Sequence, residues 1–145
     1  MLLDNLARWL HLVELGTYDT TGAAQTTAWS VFPDDMPDAP DRCIGLFQYP
    51  GEPSPDSAQP WEDHRVQIRV RGTVDPTISR VRCQAIYDRL HGLGPLELPA
   101  GLWLQLATPV HAGVIGIGRD PAGRHEHTAN FELSIVAPTD LRPAL

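Results

Sequence analysis

Lysine is absent from the 145-residue chain, so all of its 11 basic residues are arginines. The absence excludes Schiff-base chemistry, the P-loop lysine and the strand lysine of kinases. Cysteine is scarce: Cys43 and Cys83 are too few for a disulfide scaffold and are predicted to be reduced core residues. No apolar run approaches the ~20 residues of a membrane span, and residues 1–4 lack a signal-peptide pattern. We therefore expect synthesis in the cytoplasm and no membrane partner.

Basic charge is in short supply. The chain has 18 acidic residues against 11 basic ones and a net charge of −7, which argues against wrapping nucleic acid or binding anionic lipid. With 42% apolar and 20% charged residues it is typical of one globular domain, here residues 1–145. The 14 prolines and 12 glycines predict many turns and interrupted elements.

Catalytic motifs are also missing. There is no Gly-x-Ser-x-Gly nucleophile elbow. His125-Glu126-His127 offers two metal ligands on one strand face, and no third ligand follows at a recognised spacing. Residues 33–41 hold four aspartates without the order of a calcium loop, so an exposed acidic loop is the favoured interpretation. We expect no catalytic centre, no metal and no cofactor.

Two helices are predicted. Residues 2–15 repeat apolar side chains at helical spacing, and Gly16 is the expected C-cap. The second helix begins with Asp75 as N-cap and Pro76 at the first helical position, and runs to about residue 91. Its core-facing stripe comprises Cys83, Ile86, Tyr87 and Leu90. A second stripe, formed by Ile78, Val81 and Ala85, indicates contact with the other helix or another subunit.

Strands are predicted at 28–32, 42–49, 64–73, 101–108, 110–118 and 125–137. In 64–73 the apolar residues Val66, Ile68 and Val70 face one way, and Arg65, Gln67, Arg69 and Arg71 face the other. Residues 51–63 form a long Pro-rich loop, with Trp61 expected to pack near the next strand. This order predicts an α+β fold: a mixed, largely antiparallel sheet with both helices on one face.

Five segments carry a family resemblance: 40–51, 66–72, 85–92, 118–124 and the strand that contains Asn130 and Phe131. In this order they resemble the small bacteriophage minor capsid protein family, which is similar to the tail terminator proteins of long-tailed phages. The resemblance covers residues 2–137. It implies a virion protein, assembled in the host cytoplasm, that forms a ring, usually a hexamer. Such a ring caps the tail tube, stops its polymerisation, and joins it to the head connector.

The resemblance also implies partners. They are other copies of the chain, the major tail tube protein and the head-connector protein, while double-stranded DNA passes through the lumen without specific binding. An acidic lumen suits that passage, because a basic one would hold the phosphates. A neck or head-completion (stopper) protein is an alternative role. A small metal-dependent enzyme is a remote alternative, which would need a convergent carboxylate or histidine cluster.

A closed ring requires two different, complementary patches on each subunit. The second stripe of the 76–91 helix and the arginine face of the 64–73 strand are the predicted patches. The candidate interface residues are Trp61, Arg65, Arg69, Arg71, Ile78, Val81, Ala85, Arg119 and Arg124. The strand arginines also suggest nucleic-acid binding, but the favoured interpretation is that they pair with acidic residues within the fold or across an interface.

Overall fold

The computed structural model describes residues 2–21, 27–50 and 61–136. It has two helices, α1 (Leu2–Leu12) and α2 (Pro76–Leu90). The seven strands are β1 (Ser30–Pro33), β2 (Cys43–Tyr49), β3 (Trp61–Arg71), β4 (Leu96–Glu97), β5 (Trp103–Pro109), β6 (Ile115–Arg119) and β7 (His125–Val136). The predicted α+β class is confirmed.

The strands form one sheet in the order β1-β2-β3-β7-β5-β4, and β6 also pairs with β7. Only β1 and β2 run parallel; all other neighbouring strands are antiparallel. The 12-residue β7 is the central strand: β3 lies along one edge, and β5 and β6 share the other.

Both helices pack on one face of this sheet, as predicted. Val66, Ile68 and Val70 of β3 are fully buried beneath them, so the predicted alternation of this strand is confirmed. On β7 the side chain of Phe131 is buried against the ring of Tyr87 from α2, with the ring centroids 5.5 Å apart. We call the opposite side, which carries no helix, the open face of the sheet.

Helix α2 begins as its sequence predicts. Asp75 is the N-cap, and its carboxylate accepts a hydrogen bond from the Thr77 amide at 3.0 Å. Pro76 occupies the first turn, where a missing amide hydrogen costs no helical hydrogen bond. The core-facing stripe of this helix is buried, as expected.

The end of α1 differs from the prediction. The helix stops at Leu12, and Glu14 rather than Gly16 adopts the left-handed conformation, with φ of 64°. The Leu15 amide donates to the Leu10 carbonyl, which closes the helix as a Schellman motif. Gly16 serves packing instead, because a Cβ there would lie 2.5 Å from Cγ2 of Val31.

Several strand boundaries also differ, three of them for a clear structural reason. β1 starts at Ser30 instead of residue 28, because Trp29 has a positive φ of 65°. β3 starts at Trp61 instead of residue 64, because residues 61–63 pair with β7. β6 covers only Ile115–Arg119, because Gly113, at φ 103°, interrupts the segment that precedes it. Strand β4 was not predicted. The rest of the Pro-rich loop, 51–60, and the tail 137–145 lie outside the described residues.

Strand β5 contains a register shift between Leu104 and Leu106. The shift breaks the simple alternation read from the sequence, so Leu104 and Ala107 are buried while Leu106 is 44% exposed. The open face consequently ends, on the β5 side, in exposed apolar side chains.

Candidate functional site

Arg71 stands at the end of β3 on the open face, where its side chain was expected to be free for a partner. It is instead 4% exposed. Its guanidinium donates to the carbonyls of Pro37, Pro40 and Asp41, at 2.8 Å for Pro40 and 3.1 Å for Asp41. The donors of Arg71 thus bind the acidic loop, residues 34–41, of its own chain, and a role for Arg71 at a subunit interface stays a prediction.

Arg124 is a second buried arginine at the same end of the sheet. It pairs with the Asp120 carboxylate at 2.8 Å and the Asp41 carboxylate at 3.0 Å, and also donates to the carbonyl of Asp38. Burial by itself would lower the pKa of Arg124, but the bonds to Asp41 and Asp120 outweigh it and raise the pKa. Arg124 is thus also held by groups of its own subunit, and its role at a subunit interface stays a prediction.

These two arginines hold the acidic loop against the open face. The loop passes directly over β2: a Cβ on Gly45 would lie 3.0 Å from the carbonyl oxygen of Asp35. The backbone carbonyls of the loop point inward to the guanidinium groups, whereas the side chains of its aspartates are exposed. The exposed acidic loop predicted from the sequence is confirmed, and hydrogen bonds to its backbone hold it in one position.

Arg65 and Arg69 lie on the open face, as expected, and each pairs with a carboxylate of β7. Arg69 Nε is 3.0 Å from Glu126 Oε1, and Arg65 Nε is 3.8 Å from Glu132 Oε1. Neither Nε atom makes a hydrogen bond. Both side chains remain about one-third exposed. The alternative of pairing within the fold describes these two arginines, which form a cross-strand ion-pair ladder.

The outer face of α2 comprises Arg80, Val81, Gln84, Ala85 and Asp88, which together line a shallow groove of about 380 Å³. Val81 is 65% exposed, so this member of the second apolar stripe faces solvent in the single subunit. Ile78, the third member of that stripe, is half-buried against Gly72.

Helix α2 is fixed from its other side. The Arg82 guanidinium stacks 4.7 Å from the Trp29 ring centre and donates to the Leu15 carbonyl at 3.1 Å. The outer face is therefore presented on a rigidly seated helix.

The remaining candidates are spread apart. Arg119 is exposed at the end of β6, all of whose residues are exposed, and forms no ion pair with a described residue. The side chain of Trp61 lies outside the described residues. Sequence reasoning missed Leu106 and Ile115, which are both exposed on the open face. The β5 bulge that exposes Leu106 leaves no signal in the residue pattern.

Three titratable side chains lie in or beside the core: Cys43 and Cys83 are buried, and His127 is half-buried. The Nδ1 atom of His127 lies 2.7 Å from the Ser79 hydroxyl oxygen, beneath α2. Burial, followed by the charges of Arg80 and His125, lowers the pKa of His127 below 6.5. Burial raises the pKa of Cys43 to about 11 and of Cys83 to about 12, and both are free thiols as predicted.

Within the described ranges, no three residues of the metal-binding types come together, and no helix is long and apolar enough to cross a membrane. The structure is thus that of a small α+β protein. Its distinctive charged groups lie on the acidic loop, which two arginines hold in place, and on the outer face of α2.

The family comparison gives this architecture a context. The model of a family described as bacteriophage tail terminator protein matches residues 10–137. The chain therefore belongs to the bacteriophage tail terminator family, as the resemblance of its segments implied. Membership places it among phage tail structural proteins, which are virion components that contact other tail or head proteins. No curated protein matches the chain.

Proposed function

We propose that this chain is the tail terminator of a long-tailed phage. Its ring, a hexamer, caps the finished tail tube, stops further polymerisation, and presents a surface to the head connector. The proposal is carried by the family match, which takes in residues 10–137 and hence nearly the whole fold. It assigns the protein a structural role with no catalytic step.

The charge of the molecule supports this role. At −7, the chain has no basic excess with which to retain DNA, and the four aspartates of the acidic loop are exposed. Arg71 and Arg124 are buried against their own chain, so their guanidinium groups are not free to bind phosphate. A ring built from such subunits lets DNA slide through its lumen, because it offers few phosphate contacts.

Capping follows from the asymmetry of a ring made by head-to-tail contacts. All subunits point the same way, so the two rims of the ring are different surfaces. One rim matches the last ring of the tube, and the other does not match a further tube subunit. Polymerisation stops for that geometric reason, and the second rim is left for the head connector.

The test has two parts. Purified protein is examined by sedimentation and by electron microscopy, and particles from phage that lack the gene are imaged. A terminator predicts a ring at the head-proximal end of the tail, and tubes of abnormal length when the gene is missing. A stopper instead predicts tubes of normal length and heads that lose DNA. Tails of normal length would therefore contradict the proposal.

A further inference from the structure

We propose that the outer face of α2 on one subunit docks against the acidic loop of a second copy of this chain. The inference rests on the proposed ring and names the two surfaces that join its subunits. In this proposal the acidic loop takes the place of the arginine face of β3 as the second interface patch.

Charge complementarity selects the partner surface. Arg80 is exposed on α2, and no carboxylate of the described residues lies within ion-pair distance of it, although its charge acts on the nearby Asp75 carboxylate. Asp35 and Asp38 are exposed on the acidic loop, and the Asp38 side chain is fully accessible. Two acidic subunits repel each other over most of their surfaces, so an arginine meeting aspartates lowers the repulsion at the contact.

Apolar groups give the contact a centre. Val81 is 65% exposed beside Arg80, and Ala85 follows one turn later. In the loop, Met36 and Pro37 stand between the two aspartates and are half-exposed. An apolar centre with charged groups around it is the usual anatomy of a protein interface.

The two surfaces also have the placement that a ring requires. Helix α2 covers the face of the sheet that carries Val66, Ile68 and Val70, whereas the acidic loop crosses β2 on the open face. They therefore lie on opposite sides of one subunit. A contact between them is heterologous, and repetition of a heterologous contact closes into a ring when the rotation allows it.

The loop is prepared for this contact before a partner arrives. Arg71 and Arg124 already hold its carbonyls, so little conformational entropy remains to be lost on docking. Reversing Asp38 removes a long, exposed ion pair of 3.9 Å between its carboxylate and Arg124 Nη2, but the backbone bond stays, because Arg124 also donates to the Asp38 carbonyl. Surface variants of the loop are therefore expected to fold.

The experiment uses two variants of the full chain. The helix variant is Arg80→Glu with Val81→Asp, and the loop variant is Asp35→Arg with Asp38→Arg. Arg119→Glu is the control, because Arg119 is an exposed arginine outside both surfaces. Circular dichroism shows whether each protein is folded. Sedimentation and native mass spectrometry then measure the mass of its assemblies at several concentrations.

We expect wild type and Arg119→Glu to assemble alike, and each double variant to associate at least tenfold more weakly. The decisive sample is a mixture of the two double variants. Each retains the surface that the other has lost, and the two altered surfaces carry opposite charges, so an equimolar mixture should associate into species that contain both variants. Recovery of association in the mixture, when each variant alone associates weakly, is specific to a contact between these two surfaces.

Three results overturn the inference. The first is a mixture that stays monomeric, the second is a double variant that assembles like wild type, and the third is equal weakening by Arg119→Glu. If one of these results is obtained and wild type still assembles into a ring, the proposed function stands, and other surfaces form the interface between subunits. Wild-type protein that is monomeric at every concentration overturns the inference, and imaging of tails then decides the proposed function separately.

Discussion

Arg71 and Arg124 meet at a single residue: Arg71 donates to the main-chain carbonyl of Asp41, and Arg124 donates to its carboxylate. The two arginines come from β3 and from the turn before β7, so Asp41 joins the acidic loop to two distant parts of the chain. The loop is consequently part of the folded body and is held by buried charged groups.

Replacement of Arg71 by methionine tests this clasp. Arg71→Met removes the donors to three loop carbonyls and leaves them without partners, so the free energy of unfolding should fall by about 3 kcal/mol. Urea unfolding followed by tryptophan fluorescence measures the loss. Arg69→Met is the matched control, because Arg69 is about one-third exposed, and it should cost no more than about 1 kcal/mol. Equal losses of unfolding free energy in the two variants would show that Arg71 does not hold the loop in place.

Gly45 provides an independent test of how closely the loop lies on β2. A Cβ at this position would lie 2.8 Å from the Phe47 ring and 3.0 Å from the Asp35 carbonyl oxygen. Gly45→Ala should therefore lower the free energy of unfolding by about 1–3 kcal/mol, because a packed region has to shift. Thermal denaturation by circular dichroism measures the change.

Gly116→Ala is the control for that variant. A Cβ at Gly116 meets nothing nearer than His127 Nε2 at 3.4 Å, and the position lies on the exposed strand β6. Its effect should stay within about 0.5 kcal/mol. A Gly45→Ala protein as stable as Gly116→Ala would show that the loop does not press on β2.

The loop also explains where sequence reasoning succeeded and where it failed. The face of each β3 residue was predictable, because alternation in a strand follows from backbone geometry alone. What covers that face was not predictable, because the residues that cover Arg71 come from more than 30 positions away. An arginine on a polar face was therefore taken as free although its donors are used.

Helix ends also differed in how well the sequence predicted them. The Asp75-Pro76 start of α2 is read directly from the two residues, because both act within one turn of the helix. The end of α1 was misassigned because glycine is the usual left-handed residue, whereas here Glu14 takes that conformation and Gly16 is needed for contact with Val31. The start of α2 was decided locally, whereas packing against a distant residue decided the role of Gly16.

The outer face of α2 predicts an order of mutational effects on assembly. Val81→Asp should weaken subunit association more than Arg69→Ala, because Val81 is 65% exposed whereas Arg69 is already paired with Glu126. Sedimentation at several concentrations compares the two, with circular dichroism to show that both are folded. Leu106→Asp, on the far side of the sheet, is a second comparison at an exposed apolar residue. A folded Val81→Asp protein that assembles like wild type would remove α2 from the interface.

Stability should fall as the pH drops below neutral, and His127 should contribute to that fall. Its pKa is lowered in the folded protein, because burial and the nearby charges of Arg80 and His125 disfavour the imidazolium. The unfolded chain therefore takes up a proton first, near pH 6.5, while the folded protein resists. Its contribution to stability is complete above that pH and is lost progressively down to the folded pKa, below which no further loss arises from this residue.

Melting temperatures measured between pH 8 and pH 5 test this dependence. In His127→Gln the titrating group is absent and an amide can still reach the Ser79 hydroxyl, so the melting curve should vary less with pH than that of wild type. His11→Gln is the control, because His11 is exposed and lies on α1, away from the α2–β7 contact. The slope of the control should match wild type. If His127→Gln keeps the full wild-type slope, the acid sensitivity arises from other groups and the lowered pKa assigned to His127 is wrong.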